Sequence, residues 1–314
     1  MGKGIPVVDC SGGIAAKGAA ILDAIHSVGF VYLTNYGISR DQVNAVVEEG
    51  KKLWALPPEV KSQFAFVKQI AHSSPVGYYA PGSEHVDPGQ RESENRESYN
   101  FNPASEGQFD KYLPPRELIP TFGNTMEDFL YKCRDVAFQL METLALQLQL
   151  EADYFVKAHK LIGETRNGTT LRLLHYPPLA KHQQMAGAVR CGEHSDYGTF
   201  TLLFQDQIGG LQVLGRDGKW IEAKPVEDAV LVNLGDMTQR WTSDYLQAVK
   251  HRVLVPEEEA RRGLERYSVA CFFQSDDDFP VQPATSPVLP PPKPQYQPLT
   301  SGQYLQEKIR LTYY

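Results

Sequence analysis

Two histidines and one aspartate are the residues of this 314-residue chain whose types and spacing best suit metal chemistry. In Gly192-Glu193-His194-Ser195-Asp196-Tyr197-Gly198, His194 and Asp196 lie two apart. On an extended chain they share a face and aim an imidazole and a carboxylate at one point. Alone, a His-x-Asp is also what a surface turn before a strand would contain. A third candidate, His251, sits in the strand-like run Val249-Lys250-His251-Arg252-Val253, 55 residues after Asp196. If a closed sheet returns that strand beside the first, two imidazoles and one carboxylate take one face of an ion and leave the other open, the arrangement that suits non-haem iron(II). The open face offers three adjacent positions, two for a bidentate co-substrate and one for dioxygen, and a fourth protein ligand would block that chemistry.

Fifteen residues beyond His251, Arg266-Tyr267-Ser268 puts a guanidinium and a hydroxyl on one face of a strand. Such a pair clamps a carboxylate, since arginine binds it bidentately and stays charged. The competing reading is an internal ion pair of Arg266 with Glu265 or another acid of the barrel. A zinc hydrolase could use the same two histidines and aspartate, but it leaves Arg266 and Ser268 without a role. A binding protein that keeps the site as a relic would fail to take up any divalent metal. Of the other histidines, His175 in an apolar strand reads as a satisfied core residue. His26, His72, His85, His159 and His182 have no partner at ligand spacing.

Eight short strand-like runs must position these residues: 169–176, 187–193, 199–204, 210–214, 219–223, 229–233, 248–255 and 266–273. Their number and turn-separated spacing predict a mostly β fold with flanking helices, its core a double-stranded β-helix, or jelly roll. Upstream, Ile5-Pro6-Val7-Val8-Asp9 and Phe30-Val31-Tyr32-Leu33 read as strands, with a helical pattern through Ile21, Leu22 and Ile25 between them. Ser39 and Gln42 form a capping box before a helix carrying Val43, Val46 and Val47. Met126, Phe129, Leu130, Cys133, Val136, Ala137, Leu140, Met141 and Leu144 repeat at helical intervals and predict the longest helix, a support for the sheet. The stretch 62–118, rich in Pro, Gly and charge, reads as loops. These patterns divide a single domain into an N-terminal helical and loop wrap (1–118), a support-helix region (119–168), the jelly-roll core with the metal site (169–275), and a Pro-rich connector with a closing helix near Tyr304–Leu311 (276–314).

Composition narrows the setting. Lys plus Arg number 31 against 38 Asp plus Glu, a formal charge of −7, the wrong sign for a protein that lives on phosphate backbones. Hydrophobic residues at 42% and charged residues at 22% fit an ordinary globular domain. No apolar run approaches the roughly 18 residues of a membrane span. Four scattered cysteines, Cys10, Cys133, Cys191 and Cys271, make neither a zinc ribbon nor a disulfide scaffold. The expectation is a cytoplasmic protein whose partner is a small molecule, with no nucleic acid, membrane or protein partner indicated.

Over nearly its whole length the chain resembles the Fe(II)/2-oxoglutarate-dependent dioxygenases of the isopenicillin N synthase type. The resemblance rests on Ile5-Pro6-Val7-Val8-Asp9, Gly29-Phe30-Val31-Tyr32 with Asn35-Tyr36-Gly37, Tyr176-Pro177, His194-x-Asp196, Gly209-Gly210-Leu211-Gln212-Val213, Gly235-Asp236, His251-Arg252 and Arg266-x-Ser268. It implies that His194, Asp196 and His251 bind Fe(II), that Arg266 and Ser268 take the distal carboxylate of 2-oxoglutarate, and that Tyr176 assists. It also implies dioxygen as oxidant, ascorbate as a useful reductant in vitro, and the iron centre itself as catalyst with no separate acid or base. The implied reaction oxidises an unactivated C–H bond of a small molecule while 2-oxoglutarate becomes succinate and carbon dioxide. Hydroxylation leads, with oxidative ring closure or desaturation in specialised metabolism as alternatives, as in isopenicillin N synthase, which uses no 2-oxoglutarate, or kainoid synthases, which use it for ring closure; the Arg-x-Ser pair does not separate these, since 2-oxoglutarate-independent relatives keep it. Leu171–Pro177 and Thr201–Asp206 are most similar to fungal thymine hydroxylases, which makes Arg172, Tyr197 and Phe272 candidate substrate contacts. Tyr78, and Arg190 as a cation near the iron, join them. Two departures stand out: Pro75-Val76 where thymine hydroxylases carry polar residues, which argues against a pyrimidine, and Tyr36 in place of the usual histidine of Asn-His-Gly.

Overall fold

Twelve strands are described, and in chain order they are β1 (Val7–Asp9), β2 (Phe30–Thr34), β3 (Gly77–Tyr79), β4 (Glu97–Phe101), β5 (Thr170–Tyr176), β6 (Val189–His194), β7 (Phe200–Gln205), β8 (Leu211–Leu214), β9 (Trp220–Glu222), β10 (Ala229–Leu234), β11 (His251–Leu254) and β12 (Arg266–Phe273). The computed structural model describes residues 4–66, 76–84, 96–103, 110–178, 188–257 and 263–313. An eight-stranded sheet runs β1-β2-β10-β7-β12-β5-β4-β3, and a four-stranded sheet runs β6-β11-β8-β9. The two face each other as a jelly roll, and the candidate metal ligands lie between them.

Period-2 alternation sorts the side chains of the large sheet. From β12, Arg266, Ser268, Ala270 and Phe272 face the space between the sheets, and opposite them on β5 stand Tyr176, Leu174, Arg172 and Thr170. On the other face of these strands and of β7, Leu171, Leu173, Leu202, Phe204, Val269, Cys271 and Phe273 pack in one core with the helices. The expected support helix is α4 (Phe122–Gln147), which lays Met126, Phe129, Leu130, Cys133 and Ala137 against β5, β7 and β12. Removing a ring such as Phe129 from this layer would cost about 3–5 kcal/mol.

Before it come α1 (Gly18–Val28), α2 (Arg40–Trp54) and α3 (Pro58–Lys61); after it come α5 (Asp236–Trp241) and α6 (Ser301–Tyr313). The Ser39–Gln42 capping box is present at the start of α2: the Gln42 backbone N–H donates to Ser39 Oγ, and the Ser39 N–H donates to Gln42 Oε1 at 2.9 Å.

The loop reading of 62–118 needs correction, because β3 and β4 lie there and extend the large sheet. β4 hides from periodicity since all five of its residues are buried while Glu97, Ser98 and Asn100 are polar. Partners on other elements take up the polarity of Glu97 and Ser98, and no alternation survives in the sequence. Pro75, His72, His85 and His182 lie outside the described residues.

Candidate metal and co-substrate site

β6 and β11 pair so that His194 stands opposite His251, with ring centroids 4.3 Å apart. Asp196 follows in the turn after β6, and one ligand atom from each of the three lies within 4.8 Å of the other two. Asp196 Oδ1 is 3.6 Å from His251 Nε2 and 4.0 Å from His194 Nε2. The remaining heteroatoms are committed elsewhere. Asp196 Oδ2 accepts from Thr201 Oγ1 and Asn233 Nδ2, both at 2.6 Å. His194 Nδ1 donates to the Gly192 carbonyl at 2.8 Å, and His251 Nδ1 to the Val249 carbonyl at 3.2 Å. Each ligand thus has one atom tied by the protein and one turned to a common point, the division of labour that fixes tautomer and orientation in metal sites. Metal–nitrogen and metal–oxygen bonds of about 2.0–2.2 Å need donors somewhat closer together than this, so the set fits a divalent ion after a small contraction.

Electrostatics agree with that fit. Burial, and then the charge of His194, push His251 down to about 4 despite the opposing pull of Asp196, which favours the neutral, ligating ring at neutral pH. Burial would raise the Asp196 carboxyl, but the His251 and His194 charges and the Thr201 and Asn233 hydrogen bonds outweigh it and hold it below its ordinary range.

A narrow turn presents Asp196. A Cβ on Gly235 would meet Gly198 O at 2.3 Å, so backbone must lie against backbone there. Asp236 accepts from Ser195 Oγ at 2.9 Å and from Tyr304 Oη at 2.7 Å, which docks α6 on the ligand loop. α6 also contributes Leu305 to the cavity wall.

The cavity holds about 1180 Å³ of empty space including its mouth, and all three candidate ligands line it. Arg266 stands on its wall and is 1% exposed. Its Nε donates to the Gly209 carbonyl at 2.9 Å, its Nη1 to Ser268 Oγ at 3.3 Å, and its guanidinium lies 4.9 Å from the centre of the Tyr176 ring. Among the described residues no acid pairs with it, and Glu265 turns to His175 instead. A buried cation on a cavity wall without a protein counter-ion is a site for an anionic ligand.

Of the candidate substrate contacts, Arg172, Tyr197 and Phe272 line the same cavity. Arg172 is at the same time ion-paired with buried Glu84 and donates to Ser98 Oγ at 2.8 Å. Burial would raise Glu84, but Arg172 and Arg96 with the hydrogen bonds bring it down to about 2. Tyr78 is not brought to the cavity. It pairs with Tyr99 on the outer face of the sheet, its ring lies near Trp54 and Phe64, and its hydroxyl donates to Glu97 at 2.7 Å. Arg190 lies behind the Tyr176 ring, 5.7 Å from its centre, and donates to the Pro177 carbonyl at 3.0 Å, so Tyr176 rather than Arg190 forms the wall there. Thr201 and Asn233 escaped the sequence reading. Both are common residue types, and only the register that sets Asn233 opposite Thr201 on β10 and β7 gives them a shared task.

The fold has known counterparts. Residues 168–275 match the 2OG-Fe(II) oxygenase superfamily, and residues 5–120 match the family described as non-haem dioxygenase in morphine synthesis N-terminal. The 2-oxoglutarate-Fe(II) type oxidoreductase ppzD of Metarhizium rileyi is 32% identical over 93% of this chain and 85% of its own. The proline hydroxylase buaE of Petromyces alliaceus is 31% identical over 92% and 91%. Among solved structures, the full-length thymine hydroxylase of Neurospora crassa in complex with alpha-KG superposes with a TM-score of 0.82 at 30% identity, covering 98% of this chain and 95% of that one. Among the described residues no helix is long and apolar enough to cross a membrane.

Proposed function

The chain belongs to the 2OG-Fe(II) oxygenase superfamily, and on that premise we propose that it hydroxylates an unactivated carbon of a small molecule, with His194, Asp196 and His251 as the iron ligands. It is a 2-oxoglutarate-dependent dioxygenase, an oxidoreductase that takes Fe(II) and 2-oxoglutarate. One observation carries the ligand assignment: Asp196 spends one oxygen on Thr201 and Asn233 and turns the other to both imidazoles.

Iron and 2-oxoglutarate, when bound, supply the oxidising chemistry, in which dioxygen gives one atom to the substrate and one to succinate as carbon dioxide leaves. The protein's own work is positional. Thr201, Asn233 and the Gly192 and Val249 carbonyls hold the three ligands in fixed orientations. Arg266 and Ser268 bind the distal carboxylate of 2-oxoglutarate, with Tyr176 packed against the guanidinium. Leu174, Leu203, Ala270 and Phe272 keep that part of the cavity dry. Tyr197 and Phe272 flank the substrate, and Arg172, fixed by Glu84 and Ser98, forms a polar part of the wall beside it.

Purified protein with Fe(II), ascorbate and 2-oxoglutarate should form succinate, faster in the presence of a true substrate. A product heavier by one oxygen supports hydroxylation, whereas one lighter by two hydrogens means desaturation or ring closure. Arg266→Gln should weaken 2-oxoglutarate binding by roughly 10- to 100-fold, the loss of a buried charge-assisted pair. Unchanged binding in that variant would remove Arg266 from the clamp.

A further inference from the structure

We propose that His175 is the positioning residue of the 2-oxoglutarate clamp, fixing Arg266 and Tyr176 from the far side of the sheet; this rests on the reading that those two residues hold 2-oxoglutarate. Tyr176 is the last residue of β5 and Arg266 the first of β12, and they stand opposite each other. Strand ends are where a ladder frays most easily, so a clamp built there needs another restraint. One step back along β5, His175 stands opposite Tyr267 and, by alternation, on the outer face.

There a single ring joins four elements. His175 Nδ1 lies 2.8 Å from Glu97 Oε1 on β4, and Nε2 lies 3.0 Å from Glu265 Oε2, immediately before β12. The ring stacks on Tyr267 of β12, with centroids 4.9 Å apart and planes 8° off parallel, and on Trp54 of α2 at 5.7 Å and 23°. The surroundings hold the bridge in place. Lys61 of α3 and Tyr78 of β3 each reach Glu97 Oε2 at 2.7 Å, and Lys51 of α2, itself paired with Glu48, sits 5.6 Å over Tyr267. His175 is absent from the cavity wall, so any influence on 2-oxoglutarate passes through its chain neighbour Tyr176 and, by way of Glu265, through Arg266.

The test measures 2-oxoglutarate binding by calorimetry on Mn(II)-loaded protein, without turnover, for wild type and four variants. His175→Phe keeps the stacking and loses both hydrogen bonds, and should weaken binding roughly 10-fold, about 1.4 kcal/mol. His175→Gln places an amide near the Nε2 position, keeps the link to Glu265, and should return affinity to within about threefold of wild type. Mn(II) affinity should not change in either. Equal affinity of His175→Phe and wild type overturns the proposal, as does a His175→Gln variant no better than His175→Phe. Glu265→Ala, at a half-exposed side chain, covers the case in which His175→Phe fails to fold; it should lose roughly fivefold, and no loss overturns the proposal. Arg266→Gln separates the two levels. If it binds 2-oxoglutarate normally, the clamp itself is wrong; if it binds weakly while the His175 and Glu265 variants bind normally, only the positioning role falls.

Discussion

Two clusters of histidine and carboxylate lie on opposite faces of the same part of the molecule, and they differ in bonding capacity left over. Around His194, His251 and Asp196, one oxygen and two ring nitrogens face a common point in a cavity, while every other heteroatom is tied to protein. Around His175, Glu97 and Glu265, both ring nitrogens meet carboxylates, Glu97 also accepts from Lys61 and Tyr78, and aromatic rings cover both sides of the imidazole. The first cluster is incomplete without a ligand and the second is complete without one. Titratable residues in company therefore do not mark a metal site; residues whose partners stop one atom short do.

Removing the incomplete cluster's carboxylate tests that contrast most severely. Asp196→Ala leaves two imidazoles and no anion, so the variant should bind Fe(II) or Mn(II) without stoichiometric retention and form no succinate above background. His175→Ala should keep one metal per chain. Metal analysis after dialysis measures both, and retention of a full equivalent by Asp196→Ala would show that the ligand set lies elsewhere.

A third histidine extends the comparison to protons. His159 is fully buried, with Nδ1 on the Phe155 carbonyl at 2.7 Å and Nε2 on Thr199 Oγ1 at 2.9 Å. Burial pushes it from 6.5 down to about 4, outweighing the Phe155 hydrogen bond. The unfolded chain therefore takes up a proton at this site below about pH 6.5, where the folded chain does not until about pH 4. Stability is full above that window and falls as pH drops through it, by about 3 kcal/mol. Denaturant titrations of wild type and His159→Gln should diverge in slope between those two pH values, the variant losing less. Parallel curves would place the acid sensitivity in other groups.

How much of this was legible in the sequence follows from where the determinants lie. β5, β7 and β12 could be read because their apolar outer residues alternate or run together, and the His-x-Asp and Arg-x-Ser pairs carry their geometry in a spacing of two. β4 could not, since Glu97, Ser98 and Asn100 are buried polar residues whose partners, among them Lys61, Glu84 and His175, are far away in the chain. The same distance hid the Arg172–Glu84 pair, 88 residues apart, and made Tyr78 look like a cavity residue when the register turns it outward. Local pattern fixes which face a residue takes; what it meets there is decided by the fold.

Asn233 is the mildest probe of the contrast, because it touches the free cluster without belonging to it. Its amide and Thr201 share Asp196 Oδ2, so Asn233→Ala leaves one of two hydrogen bonds and a carboxylate freer to rotate away from the imidazoles. Partners of metal ligands are worth about 10- to 100-fold in metal affinity when removed, and with Thr201 still in place the lower end is expected. Competition with a chelator reads that affinity directly, and Thr201→Val should lower it by a similar factor. Combining the two should cost more than their product, since the last restraint on Oδ2 is lost only in the double variant. If neither single variant shifts metal affinity, Asp196 is held by its backbone turn alone, and the cluster's readiness for an ion comes from the tight packing of Gly198 against Gly235.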